Sequence, residues 1–211
     1  MRILLTGLLL TLVLSAPALA AGPYGPVGER EVVDVSGSAT AAPVTVTVQE
    51  SNQSRTVLTY TVGSYDRVPY TIKGETYHEI SVAGEAVHLT KGLPSVPSVR
   101  RSIIIPNDAH MEVAVLSARY IDYENVLVAP SKGNLLRTVD PSDVAFTFGD
   151  VYSRDGFYPE NLASLGEPYI LRDYRGTVVE LNAVRYNPVT KVLRVYSEVT
   201  LEVTAAGRGD V

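Results

Sequence analysis

Chemistry near neutral pH needs side chains that ionise, attack or ligate, and this sequence supplies few of them. Its 211 residues include no cysteine and three histidines, His78, His88 and His110. Without a cysteine there is no thiol nucleophile. A metal centre needs several ligands at short, ordered spacing, and the histidines lie on separate segments. They read as core or surface residues, so no metal and no other cofactor is expected. Glu79 and Glu85 form no pair that spacing alone ties to glycoside chemistry. None of the serines sits in a nucleophile elbow, and no phosphate-cradling glycine loop is present. The net charge of −5 gives no basic footprint for nucleic acid. These absences argue against catalysis and leave binding.

Two irregular stretches are the candidates for binding. The first runs from Ala129 to Asp143, where Pro130, Gly133 and Pro141 mark a loop. Arg137 lies in it between Leu136 and Thr138, with Asp140-Pro141 closing the turn; on its own it reads as a solvated loop arginine. The second is Pro141 to Gly166, punctuated by Asp, Gly and Pro and filled by Phe146, Phe148, Tyr152, Phe157 and Tyr158. Such a loop either tucks its aromatics under itself as a satellite core or turns them towards a partner. Near the end, Arg208-Gly209-Asp210 matches a cell-adhesion tripeptide, a match short enough to arise by chance.

The elements that must hold these loops are strands. After the turn signal Asn187-Pro188, Leu193, Val195, Val199, Leu201 and Val203 recur with period two, interrupted by Ser197, and Arg194, Tyr196, Glu198, Thr200 and Glu202 alternate with them. That predicts a half-buried strand with one apolar face, paired in a hairpin with the β-rich run 177–186. Further strands are expected at 44–48, 56–62, 76–82, 102–105, 112–117 and 119–128, with 65–69 as a connection. No segment has a helical period. The prediction is an all-β, two-sheet sandwich of jelly-roll type over 44–204, preceded by a flexible lead-in at 21–43 and followed by a disordered tail at 205–211.

The first 20 residues have a different character. Arg2 precedes an apolar run over 3–14, and Ala18-Leu19-Ala20 is a small-x-small cleavage pattern. This is a leader, cut after Ala20 or Ala21 and too short to span a bilayer. The mature protein is expected outside the cytoplasm, periplasmic or secreted, with no disulfide to support its core.

Three separated motifs also carry a resemblance. Ala129-Pro130-Ser131-Lys132-Gly133, Leu171-Arg172-Asp173-Tyr174-Arg175-Gly176 and Tyr186-Asn187-Pro188-Val189-Thr190-Lys191 follow one another in that order. Together they resemble the propeptide of gingipains, secreted bacterial cysteine peptidases of the C25 family, from about Gly92 to Val203. The resemblance implies a folded inhibitor that assists folding of the peptidase, covers its active-site cleft and leaves on cleavage. The implied partner is a gingipain-like cysteine peptidase catalytic domain, in cis or in trans. Some members are specific for arginine, so Arg137 becomes the candidate for the side chain that enters the specificity pocket, where a guanidinium can form a bidentate ion pair. Lys132 and Arg154 are the alternatives. Arg172, Asp173 and Arg175 are read as structural. No Cys and His catalytic domain follows before Val211, which leaves a fragment, a remnant or a free-standing inhibitor as expectations. The rival class is an exported adhesin or carbohydrate-binding β-sandwich, and an unrecognised hydrolase is a third.

Overall fold

The computed structural model describes residues 22–37 and 42–208. The expected leader, its cleavage point at Ala20 and residues 209–211 lie outside them. Thirteen strands are present: β1 (Glu31–Asp34), β2 (Val44–Ser51), β3 (Arg55–Val62), β4 (Ser64–Ile72), β5 (Glu75–Ser81), β6 (Ala86–Val87), β7 (Pro97–Ile104), β8 (Ala109–Tyr123), β9 (Ala163–Leu165), β10 (Tyr169–Leu171), β11 (Tyr174–Leu181), β12 (Val184–Asn187) and β13 (Val192–Arg208). Two short 3-10 turns, Pro141–Asp143 and Asp150–Ser153, are the helical pieces among the described residues.

β13 is the strand on which the fold is assembled. One edge pairs antiparallel with β8, and the other pairs first with β12 and then with β3. The hairpin turn before it is made by Asn187, whose side-chain oxygen accepts from the N–H groups of Val189 (3.1 Å) and Thr190 (3.3 Å).

The single apolar face expected for this strand is corrected by a bulge. Val195 pairs with Ile121 but Glu198 pairs with Arg119, so Ser197 is an extra residue with no partner on β8. Ile121 and Arg119 share a face, and therefore Val195 and Glu198 do too. The bulge thus inverts the strand. Leu193 and Val195 enter one core with Tyr65, Ile80, Val128 and Tyr186. Tyr196, Val199, Leu201 and Val203 enter a second core with Leu58, Tyr60, Val99 and Leu181. Each fully buried Val or Leu here is worth about 1.5–3 kcal/mol.

The second core fills an antiparallel sandwich. One sheet has the order β12-β13-β3-β2 with β8 on the other edge of β13; the facing sheet has the order β10-β11-β7-β6, with β9 also on β11. The first core lies under a third sheet, β1-β4-β5.

Three other expectations change. The run 177–186 does not form one hairpin arm: β11 pairs with β7 in the facing sheet, and only β12 pairs with β13. The crossing point is Asn182, whose amide donates to the Asn161 carbonyl at 2.8 Å and whose oxygen lies 3.0 Å from His88 Nε2. The stretch 65–69 belongs to β4, with Tyr65 1% and Asp66 6% exposed. Its polar residues and proline concealed a strand: β1 pairs with β4 only up to Arg67, and at Pro69, which has no N–H to give, the Val27 N–H donates to the proline carbonyl at 2.9 Å. Finally, β1 falls inside the expected lead-in, and β13 extends through the tail as far as Arg208, paired with Ala109.

Candidate functional site

The Ala129–Asp143 loop is fastened at its entrance from both sides. The His78 N–H on β5 donates to Leu127 and the Ala129 N–H returns to His78, at 2.7 and 2.8 Å. On the other flank the Ser95 N–H donates to Ala129 and the Ser131 N–H donates to Leu93, at 2.9 and 2.7 Å. Gly133 then turns the chain outward with φ +90, a value that favours glycine, and approaches Lys91 so closely that a Cβ would stand 3.1 Å from the lysine Cβ.

The exit is fastened as well. The Asp140 carboxylate accepts from the Ser142 N–H at 2.8 Å and caps the Pro141–Asp143 turn. Those bonds from Ser142 hold the Asp140 carboxyl below its ordinary range. Lys132 bridges entrance to exit: its Nζ donates to the Pro141 carbonyl at 2.6 Å and to the Tyr24 carbonyl at 2.9 Å. The ammonium also lies 4.1 Å from the Phe146 ring centroid and 5.6 Å from that of Tyr70. Burial lowers the Lys132 pKa, partly countered by Glu79 and Asp140. A cleft of about 300 Å³ lies beneath this neck, with Tyr70, Glu79 and Ser131 in its wall.

Between these fastenings the loop presents a tip. The Val139 N–H donates to the Leu136 carbonyl at 3.0 Å, which makes Leu136–Val139 a β-turn with Arg137 and Thr138 at its corners. Arg137 is exposed, and among the described residues its side chain has no hydrogen bond or ion pair. Leu136 beside it is 75% exposed and Val139 38%. The arrangement is an outward guanidinium flanked by uncovered apolar groups, on a narrow turn with a rigid base.

The other candidates sit elsewhere. Arg154 is exposed at the end of the second 3-10 turn, beside a cleft lined by Leu93, Tyr158 and Glu160. Arg172 turns the β10–β11 hairpin with φ 55. Arg175 is buried, and its Nη1 donates to the carbonyls of Pro106, Asn107 and Ala109 at 3.2, 3.1 and 2.9 Å. The three histidines do not converge, and among the described residues no three His, Asp or Glu side chains gather as metal ligands. His78 carries a buried Nδ1 without a partner, and burial, with Arg67 nearby, lowers its pKa.

The aromatic loop 141–166 resolves to a satellite core. Phe146 meets Tyr70, Phe148 meets Tyr77 and Tyr152 edge-on, and the Tyr152 hydroxyl donates to the Val128 carbonyl at 2.9 Å. Phe157 lies against the Arg194 and Arg185 guanidinium groups. Of these rings, Phe146 reaches the Arg137 loop, at Lys132. The residues that sequence reasoning missed are Gly22, Tyr24 and Ser142, which meet at the neck; no local pattern in the chain links positions so far apart.

The sequence matches the Propeptide_C25 family over residues 38–210. It is 44% identical to gingipain R1 of Porphyromonas gingivalis over 57% of this chain and 12% of that protein, and 40% identical to gingipain R2 over 57% of this chain and 16% of that protein. Lys-gingipain of the same organism is 28% identical over 66% of this chain and 8% of its own length. The chain therefore spans less than a fifth of these relatives. Among solved structures, the complex of the Porphyromonas gingivalis RgpB pro- and mature domains superposes with a TM-score of 0.75 at 31% identity, covering 78% of this chain and 87% of that one. A structure addressing the zymogenic latency of Porphyromonas gingivalis gingipain K superposes with a TM-score of 0.69 over 85% of this chain and all of that one; at 22% identity it speaks for the fold alone. The chain belongs to the C25 peptidase propeptide family.

Proposed function

We propose that this domain keeps a gingipain-like cysteine peptidase latent by covering its active-site cleft, with Arg137 as the side chain that fills the specificity pocket. The observation that carries this reading is the Arg137 tip: an exposed guanidinium on a β-turn whose base is fastened at both ends. A pre-ordered loop loses little conformational entropy on docking, and a guanidinium meeting an acidic pocket forms a charge-assisted, bidentate pair. The RgpB pro-domain is found in complex with its mature domain, which supports a catalytic domain as the partner. Lys132 is less suited to the role because its ammonium is held by two carbonyls within the domain. Arg154 remains the alternative plug. The same domain would be exported behind its leader and would assist folding of the peptidase. With no cysteine it supplies no thiol for catalysis itself.

The test is a titration of the protein against an arginine-specific gingipain-type peptidase, with Arg137→Ala beside it. Stoichiometric inhibition by the natural sequence and a large loss in the variant is the expected result. Equal inhibition by both removes Arg137 from the role. No inhibition by either folded protein removes the inhibitor reading for that enzyme.

A further inference from the structure

The neck of the Arg137 loop is fastened partly by a remote segment. The Tyr24 N–H donates to the Ser142 carbonyl at 2.9 Å, and the Gly22 N–H donates to the Ser142 hydroxyl at 3.1 Å. The Tyr24 carbonyl in turn accepts from Lys132 at 2.9 Å, the same ammonium that grips Pro141. The approach at Gly22 leaves no room for a side chain: a Cβ there would stand 2.8 Å from the Ser142 carbonyl oxygen and 2.6 Å from its hydroxyl oxygen. The segment is held on the body of the domain as well, since the Gly25 N–H turns back to Gly22 and the Val27 N–H donates to Pro69 of β4, each at 2.9 Å.

We infer that residues 22–27 form a clasp on the neck of the Arg137 loop, so that Gly22, Tyr24, Ser142 and Lys132 are positioning residues for its tip. None of them reaches the tip itself. Their work is to join three strands of chain, 22–24, 131–133 and 141–143, at one point, so that the β-turn carrying Arg137 is presented in one orientation. Without the clasp, Lys132 alone ties entrance to exit, and the short 3-10 turn that ends the loop has lost its outer support. The consequence for inhibition rests on the plug role proposed above; the consequence for loop order does not. Gly22 lies two residues beyond Ala20, so the clasp directly follows the expected leader.

The experiment is amide hydrogen exchange across residues 133–144 of the exported protein, its N-terminus verified by mass, alongside the inhibition titration. The Val139, Asp143 and Val144 N–H groups, each bonded within the loop or its terminal turn, are the reporters. Gly22→Ala removes the close approach, Lys132→Met removes the tie, and Lys132→Arg restores a donor at the same place. Exchange is expected to rise about tenfold in the first two variants, as for loss of a hydrogen bond to a charged group, and to recover in part in Lys132→Arg, with the thermal midpoint nearly constant. Unchanged exchange in both Gly22→Ala and Lys132→Met overturns the clasp. If Lys132→Met fails to fold, Gly22→Ala decides alone, because Gly22 lies outside the strands and both hydrophobic cores. Raised exchange with no inhibition by the natural sequence leaves the clasp standing and removes the plug. Inhibition by the natural sequence with unchanged loop exchange in the variants does the reverse.

Discussion

Arg137 and Arg175 carry the same side chain to opposite ends. Arg175 is buried and directs one nitrogen at three backbone carbonyls of the turn between β7 and β8. The Ile105 N–H answers by donating to the Arg175 carbonyl at 2.9 Å. Its donors tie the half-buried Pro106, the exposed Asn107 and the buried Ala109 carbonyls to one point, and losing a hydrogen bond to a charged group at such a place is costly. Arg137 stands in water at a turn, and no partner within the described residues uses its donors. The difference separates architecture from the recognition proposed for Arg137: a guanidinium satisfied inside the fold holds the fold, while one held out on a turn keeps its donors facing solvent.

The strongest challenge to that contrast is Arg175→Met, which keeps the stem and deletes the donors. It should destabilise the domain by about 3 kcal/mol, lowering the thermal midpoint by about 10 °C, as calorimetry would read. A midpoint within a degree or two of the natural protein would mean that the three carbonyls find other partners. Arg137→Ala should do the opposite. Its effect on stability should stay within about 0.5 kcal/mol, while inhibition of an arginine-specific peptidase weakens about a hundredfold, as for a binding hot spot. Arg137→Lys sharpens the point: the charge remains but the planar fork is lost, so a smaller loss of about tenfold is expected, and equal inhibition would show that charge alone suffices.

The smallest expected effect concerns pH. The His78 pKa is lowered in the fold, mainly by burial and then by Arg67, while the Leu127 carbonyl region and Glu31 oppose the shift. A base with a depressed folded pKa takes up its proton more readily when unfolded, so stability from this residue is full above about pH 6.5 and falls as pH drops through the folded value. The thermal midpoint should therefore decline on acidification below pH 6.5, and His78→Gln should flatten that decline. An unchanged slope would assign the acid sensitivity to the carboxylates instead.

Much of this was legible in the chain because it depends on local pattern. The alternation from Leu193 to Val203, the Asn187-Pro188 turn and the absence of any helical period are properties of neighbouring residues. Ser197, the polar interruption in the apolar row, marked the site of the bulge, but a break in a row does not reveal that the strand changes face there. Tyr65 to Pro69 was illegible for a related reason. Asp66, Arg67 and Pro69 look like a connection until Arg30 is seen 3.5 Å from Asp66 and the Pro69 carbonyl is seen to accept from the remote Val27 N–H. At the candidate site, the loop and Arg137 could be named from the Pro-Gly-Pro punctuation and the family motifs, whereas Lys132 and Arg137 could not be told apart as exposed cations.

By itself, then, the sequence determined the class of the fold, the main strand, the family and the shortlist of basic residues, because each rests on short-range periodicity or motif. The tertiary structure decided which core each half of β13 enters, where the 177–186 run divides between sheets, and which basic residue is occupied. Those outcomes depend on contacts between Tyr24, Lys132 and Pro141, or between Arg175 and Pro106, over long stretches of chain. Hydrogen bonds and burial at such separations exist only after the sheets have closed, and no local pattern can encode them in advance.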